Sequence, residues 1–170
     1  MAGIAAMNEQ GQGRTEFPNY FRDSVRHEIR EDKAMKFSNR HRVLYAEDNE
    51  DCSFMVSMMC EPSGIEVVAT RTIARAWQLA QSENFDLYLL DTRFSDGDGL
   101  ELCRRLRSFA PRTPILFYSG NAYEADKKNG LAAGANDYLT KPYLANLTLT
   151  ILQTIEQNKK PARQTQTISA

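Results

Sequence analysis

Leu87, Tyr88, Leu89 and Leu90 follow one another without a charged or strongly polar residue, and the run stops at Asp91. A strand that alternates apolar and polar positions can leave one face in water, whereas a strand without that alternation has to be covered on both faces. Four other segments, 43–46, 65–69, 114–118 and 137–140, also lack a regular alternation, although Glu66 and Asp137 are charged. Helical patterns lie between them. One follows residue 51 and carries Phe54, Met55, Met58 and Met59 before Pro62, Ser63 and Gly64 stop it; its methionines read as core filling. Others span 72–81 with Ala76, Trp77 and Ala80, 100–109 with Leu102, Leu106 and Phe109, 122–129 with Gly130 as its stop, and 144–157. The expected fold is therefore α/β, a doubly wound five-stranded parallel sheet of flavodoxin-like (βα)5 type.

This domain is expected over 39–158, between an N-terminal extension, 1–38, and a polar tail, 159–170. Residues 1–18 read as a mobile leader, and 19–37 as a helix whose apolar stripe is Phe17, Phe21, Val25 and Ile29. The five-unit pattern is complete without residues 1–38, which are expected to be dispensable for folding. A hydrophobic share of 42% permits a real core, and a net charge of −1 is unlike the strongly basic face of a nucleic-acid binder. Cys52, Cys60 and Cys103 form no C-x-x-C pair, so reduced cytosolic thiols are expected. No apolar run approaches the roughly 18 residues of a membrane span, and residues 8–14 are too polar for a secretory leader. A cytoplasmic protein with no membrane partner is the expectation.

In an open parallel sheet, ligands sit beyond the carboxyl ends of the strands. The first strand delivers Glu47 and Asp48 there, the third Asp91, the fourth Ser119 and the fifth Lys141. Three carboxylates at one edge repel one another, and a hard divalent cation such as Mg²⁺ resolves that with oxygen ligands and retained waters. A lysine and a hydroxyl beside the cation then make a cradle for a phosphoryl group, which a carboxylate can accept covalently.

These residues lie in four pieces, VLYAEDNE, DLYLLDTRFSDGDGLELCRRL, PILFYSG and GANDYLTKPY, which fall in this order between residues 42 and 157. Together they resemble the response-regulator receiver family of two-component signalling, in its chemotaxis-regulator-like form. The resemblance implies that Asp91 is the phosphoacceptor. Asp48 would bind Mg²⁺ directly and Glu47 through water, with the backbone carbonyl of Arg93 as a further ligand. Ser119 would move onto the phosphoryl group, Lys141 would pair with it, and Tyr138 would swing inward with Ser119. Pro142 would follow a cis peptide bond. The implied donor is a histidine kinase or histidine phosphotransfer protein. With only 159–170 after the last helix, the output is expected to be contact with a downstream protein through the fourth helix, fifth strand and last helix. No direct nucleic-acid binding is expected, and a homodimer formed on phosphorylation is compatible with this reading. The chain would not be an enzyme beyond its own phosphotransfer and slow dephosphorylation.

Some positions depart from the family's pattern. Arg93 stands where a small polar residue is usual; its guanidinium is expected to pair with phosphoryl oxygens and bar water, lengthening the phosphoryl lifetime. Ser95 replaces a usual proline, and the small Gly120 leaves the acceptor accessible. Asp96, Gly97, Asp98 and Gly99 read as a turn and helix start rather than a calcium loop, which lacks its distal glutamate. Trp77 is expected half-exposed, and His41 in a solvated hinge. Two other readings remain open: a pseudo-receiver that only binds, and an aspartyl phosphatase, which would carry a second acid where Arg93 stands. Finally, FRDSVRHEIR around His27 resembles the phosphoacceptor box of histidine kinases, but Glu31 and Asp32 replace its usual threonine and proline, and an amphipathic helix accounts for the pattern.

Overall fold

The computed structural model describes residues 40–121, 123–142 and 144–159. The expected helix of 19–37, His27 and the tail after Lys159 lie outside the described residues. Strands β1 (His41–Ala46), β2 (Ile65–Thr70), β3 (Leu87–Leu90), β4 (Ile115–Ser119) and β5 (Asp137–Thr140) alternate with helices α1 (Glu50–Cys60), α2 (Ile73–Ser82), α3 (Gly99–Phe109), α4 (Glu124–Ala132) and α5 (Leu144–Lys159). All neighbouring strands are parallel, in the order β2-β1-β3-β4-β5. This is the doubly wound sheet that the unalternating runs imply.

Two apolar layers sandwich the sheet. On one face Leu44, Tyr88, Leu90 and Phe117 meet Ala76 and Leu79 of α2 and Leu102 and Leu106 of α3. On the other, Val43, Tyr45, Leu87, Leu89 and Leu116 meet Val56 and Cys60 of α1 and Leu147, Ile151 and Ile155 of α5. Each fully buried leucine removed from water contributes about 1.5–3 kcal/mol, so the register is strongly specified.

That register sets the ends of the strands level. Ala46 lies opposite both Thr70 and Leu90, and Ser119 lies opposite Thr140. The ladder continues one step further: Glu47 N donates to Thr70 O at 2.9 Å, Asp91 N to Ala46 O at 2.9 Å and Lys141 N to Ser119 O at 2.8 Å. The chain runs from β1 outward to β2, then returns to β3 on the other side. The sheet therefore opens its crevice between β1 and β3, beside Glu47 and Asp91.

Several local expectations change. Met55 and Met58 are 45% and 36% exposed, and Met59 is only half-buried, so they are not core filling. Helix α1 instead buries Ser53, Val56 and Cys60, whose small side chains let it lie close to the sheet. Gly130 does not stop α4; it sits inside the helix, where an added Cβ would come within 2.8 Å of the Tyr138 ring and 3.0 Å of Phe117. The glycine is there for close approach. His41 is the first residue of β1, mostly covered, with Nδ1 3.7 Å from Asp86 Oδ2. Trp77 is half-buried as expected, with Arg105 stacked 4.3 Å over its ring and Phe109 edge-on at 5.5 Å.

Candidate functional site

The loop after β3 is held from several sides. Arg93–Phe94 pairs antiparallel with Gly97–Asp98, a ribbon with no counterpart in the sequence reading. Asp98 caps α3 by accepting from Leu100 N at 2.9 Å. Asp96 caps a different helix, accepting from Ile73 N and Ala74 N of α2, each at 3.1 Å. Desolvation would raise the Asp96 carboxyl, but the hydrogen bonds from those amides together outweigh it and hold the group below the ordinary carboxylate range. At Gly99, Thr92 O accepts the backbone N–H, and an added Cβ would collide with Asp91 O. The start of α3 is thus pressed against the backbone of Asp91, and only glycine fits.

Asp91 is the hub. Its Oδ2 accepts from Lys141 Nζ at 2.6 Å, and its Oδ1 accepts from Ser119 Oγ at 2.6 Å and from Thr92 N. Burial alone would push the Asp91 carboxyl up. The hydrogen bonds from Lys141 and Ser119, the ammonium charge and the Thr92 amide together outweigh it and hold the group below the ordinary carboxylate value. Thr92 Oγ1 and Ser119 Oγ are 2.7 Å apart; since Ser119 donates to Asp91, Thr92 is the donor between them. Thr92 is buried and belongs to the site, though the sequence reading passed over it; its position directly after Asp91 was the available signal.

Lys141 Nζ donates to Glu47 Oε2 as well as to Asp91. The Glu47 side chain is only 2% exposed, and burial raises its pKa despite the hydrogen bonds from Lys141 and Tyr45 that oppose the rise. Lys141 itself is pushed up, because its two carboxylate partners more than offset desolvation. The Lys141–Pro142 peptide bond is cis. Asp48 does not join this cluster: it is exposed, one residue past the buried Glu47. Among the described residues no three His, Cys, Asp or Glu side chains gather within reach of one metal ion.

The loop after β4 closes the far side. Asn121 Oδ1 accepts from Arg93 Nη2, and the Asn121 carbonyl accepts from Tyr138 OH at 2.8 Å. Tyr138 is buried, with its ring 5.6 Å from that of Phe117. Of the residues singled out from the sequence, the fold brings Asp91, Ser119, Lys141 and Glu47 into one hydrogen-bonded cluster. Tyr138 and Arg93 reach its rim through Asn121, and Asp48 is exposed one residue past Glu47.

A family model described as the response regulator receiver domain matches residues 43–153. The chain belongs to that family. Within it, the receiver is 34% identical over 102 residues to the alkaline phosphatase synthesis transcriptional regulatory protein PhoP of Bacillus subtilis, covering 60% of this chain and 42% of PhoP. It is 36% identical over 102 residues to the cell cycle response regulator CtrA of Brucella ovis, covering 60% of this chain and 44% of CtrA. The chain thus spans less than half the length of these curated relatives. The Francisella response regulator 1452 receiver domain superposes with a TM-score of 0.67 at 26% identity, covering 71% of this chain and all (100%) of that one. No helix among the described residues is long and apolar enough to cross a membrane.

Proposed function

We propose that this receiver is a phosphorylation switch that accepts a phosphoryl group on Asp91 from a phosphohistidine in a histidine kinase or phosphotransfer protein. The observation that carries the reading is the Lys141 ammonium hydrogen-bonded to both Glu47 and Asp91, with the Ser119 hydroxyl on the other Asp91 oxygen. An Asp91 oxygen forms the new bond to phosphorus as the phosphorus–nitrogen bond of the donor breaks, and the imidazole leaves with its electron pair. Asp91 suits this step because its depressed pKa keeps it an anionic nucleophile at neutral pH. Lys141 and Ser119 are placed to follow the phosphoryl oxygens with a charge and a hydroxyl.

The donor set also fits Mg²⁺ in kind: Glu47, Asp48 and Asp91 supply only carboxylate oxygens at one sheet edge, and Asp48 is left free of the buried cluster. Asp48, Asp91 and the Arg93 carbonyl would hold the ion directly and Glu47 through water; when bound, the ion would neutralise charge building on the transferring group. Signalling would follow by protein contact: Tyr138, joined to the loop after Ser119 through Asn121 O, couples the site to the face formed by α4, β5 and α5. Catalysis beyond self-phosphorylation and slow dephosphorylation forms no part of the proposal.

Acetyl phosphate with Mg²⁺ tests it. The wild-type chain is expected to gain one phosphoryl group, seen by intact mass, and Asp91→Asn none. Full labelling of Asp91→Asn would displace the acceptor, and an unlabelled wild type would leave a pseudo-receiver that only binds.

A further inference from the structure

Tyr45 was no part of the site as read from the sequence. It lies on β1 two residues before Glu47, so the two side chains leave the strand on the same side. The ring is fully buried with Leu89, Tyr118 and Leu139, and its centroid lies 6.4 Å from that of Tyr118. The hydroxyl, however, rises to the floor of the acid cluster and donates to Glu47 Oε2 at 2.7 Å. Lys141 Nζ donates to that same oxygen, while its ammonium stands 5.5 Å over the Tyr118 ring. Among the described residues, Glu47 Oε1 receives the Asn49 amide alone, at 3.3 Å.

The two oxygens of Glu47 are therefore not equivalent. Oε2 is occupied by one charged and one neutral donor in a buried setting, where such bonds are strong and costly to leave unmade. A divalent cation drawing on Oε2, directly or through a bound water, has to displace one of them, whereas Oε1 carries a single long bond. Resting on the Mg²⁺-dependent reading above, we propose that Tyr45 is a positioning residue of the site: with Lys141 it withholds Oε2 of Glu47 from the metal, fixes Lys141 between Glu47 and Asp91, and so lowers Mg²⁺ affinity. If Tyr45 were only a core residue with a satisfied hydroxyl, removing that hydroxyl would lower stability and leave metal affinity unchanged.

The full chain is titrated with Mg²⁺ alone by calorimetry, as wild type, as Tyr45→Phe and with 3-fluorotyrosine at position 45. Tyr45→Phe keeps the ring and frees one acceptor site on Oε2. Its Kd for Mg²⁺ is expected to fall about threefold to tenfold, the scale of one hydrogen bond to a charged group. The more acidic fluorophenol donates more strongly, and its Kd is expected to rise. In acetyl phosphate labelling, the Mg²⁺ concentration at half-maximal rate should move with Kd, with the rate at saturating Mg²⁺ little changed. An unchanged or weaker Mg²⁺ affinity in folded Tyr45→Phe overturns the inference. Should that variant fail to fold, an unchanged or tighter affinity in the fluorotyrosine protein overturns it instead. A wild type that binds no Mg²⁺ removes the metal reading itself and the inference with it, and is recognised before any variant is made.

Discussion

The loops after β1 and β3 both carry acids to the same sheet edge, yet they are built to opposite standards. The β3 loop is fixed along its length: a ribbon pairs Arg93 with Asp98, Asp96 ties it to α2, Asp98 to α3, and Gly99 seats the helix against Asp91 O. The β1 loop is fixed only where it enters and leaves. Glu47 is locked by Tyr45 and Lys141, Asn49 caps α1 through Cys52 N at 2.9 Å, and Asp48 between them is exposed. The contrast separates two demands. A nucleophile must be held within a fraction of an ångström of its productive position. A ligand to a hydrated, exchangeable cation gains from a carboxylate that can adjust.

Changes on the β3 side should therefore act on labelling and stability, and changes on the β1 side on metal concentration dependence. The largest effect is expected from Lys141→Met, which leaves Glu47 and Asp91 facing each other without their shared cation. Acetyl phosphate labelling should fall about 100-fold or more, as when an oxyanion donor is lost, and a loss below tenfold would deny Lys141 its role. Next is Gly99→Ala, which forces a methyl group against Asp91 O. Overpacking of this kind costs about 1–3 kcal/mol, and the measured melting temperature and labelling rate should drop together. A drop in stability with full labelling speed would show that the acceptor tolerates a displaced loop.

On the β1 side, Asp48→Ala should leave stability within about 0.5 kcal/mol, as for most exposed positions, while the Mg²⁺ needed for half-maximal labelling rises about tenfold. An unchanged requirement would remove Asp48 from the ligand set. The smallest effect concerns the bond that joins the β3 loop to the β4 loop. Arg93→Asn removes the donor to Asn121 Oδ1, and phosphate release from the labelled protein should quicken by a few-fold, on the order of one exposed charged hydrogen bond. Equal rates would mean that the Arg93–Asn121 bridge does not screen the acceptor, and slower release would make the arginine an aid to hydrolysis.

Local pattern determined much of this protein. Short unalternating runs such as 87–90, interleaved with helical patterns, read as strands covered on both faces, and a residue directly after such a strand lies at the carboxyl edge. Asp91, Lys141, Ser119 and Glu47 were legible for that reason, as was Asp98 at the head of α3. The tertiary structure decided what periodicity leaves open. In α1 the more apolar stripe of Phe54, Met55 and Met58 lost the core to Ser53, Val56 and Cys60, because side-chain size, and not hydrophobicity alone, sets how near a helix can lie to a sheet. Gly130 became a contact rather than a stop once Tyr138 and Phe117 arrived beside it. Adjacent acids took opposite fates because Glu47 alone met Tyr45 and Lys141, the lysine being 94 residues away along the chain. Asp96 capped a helix 22 residues before it, and Asn121 took partners from both β5 and the β3 loop. Such bonds join groups distant in sequence, and only the folded backbone brings each donor to its acceptor.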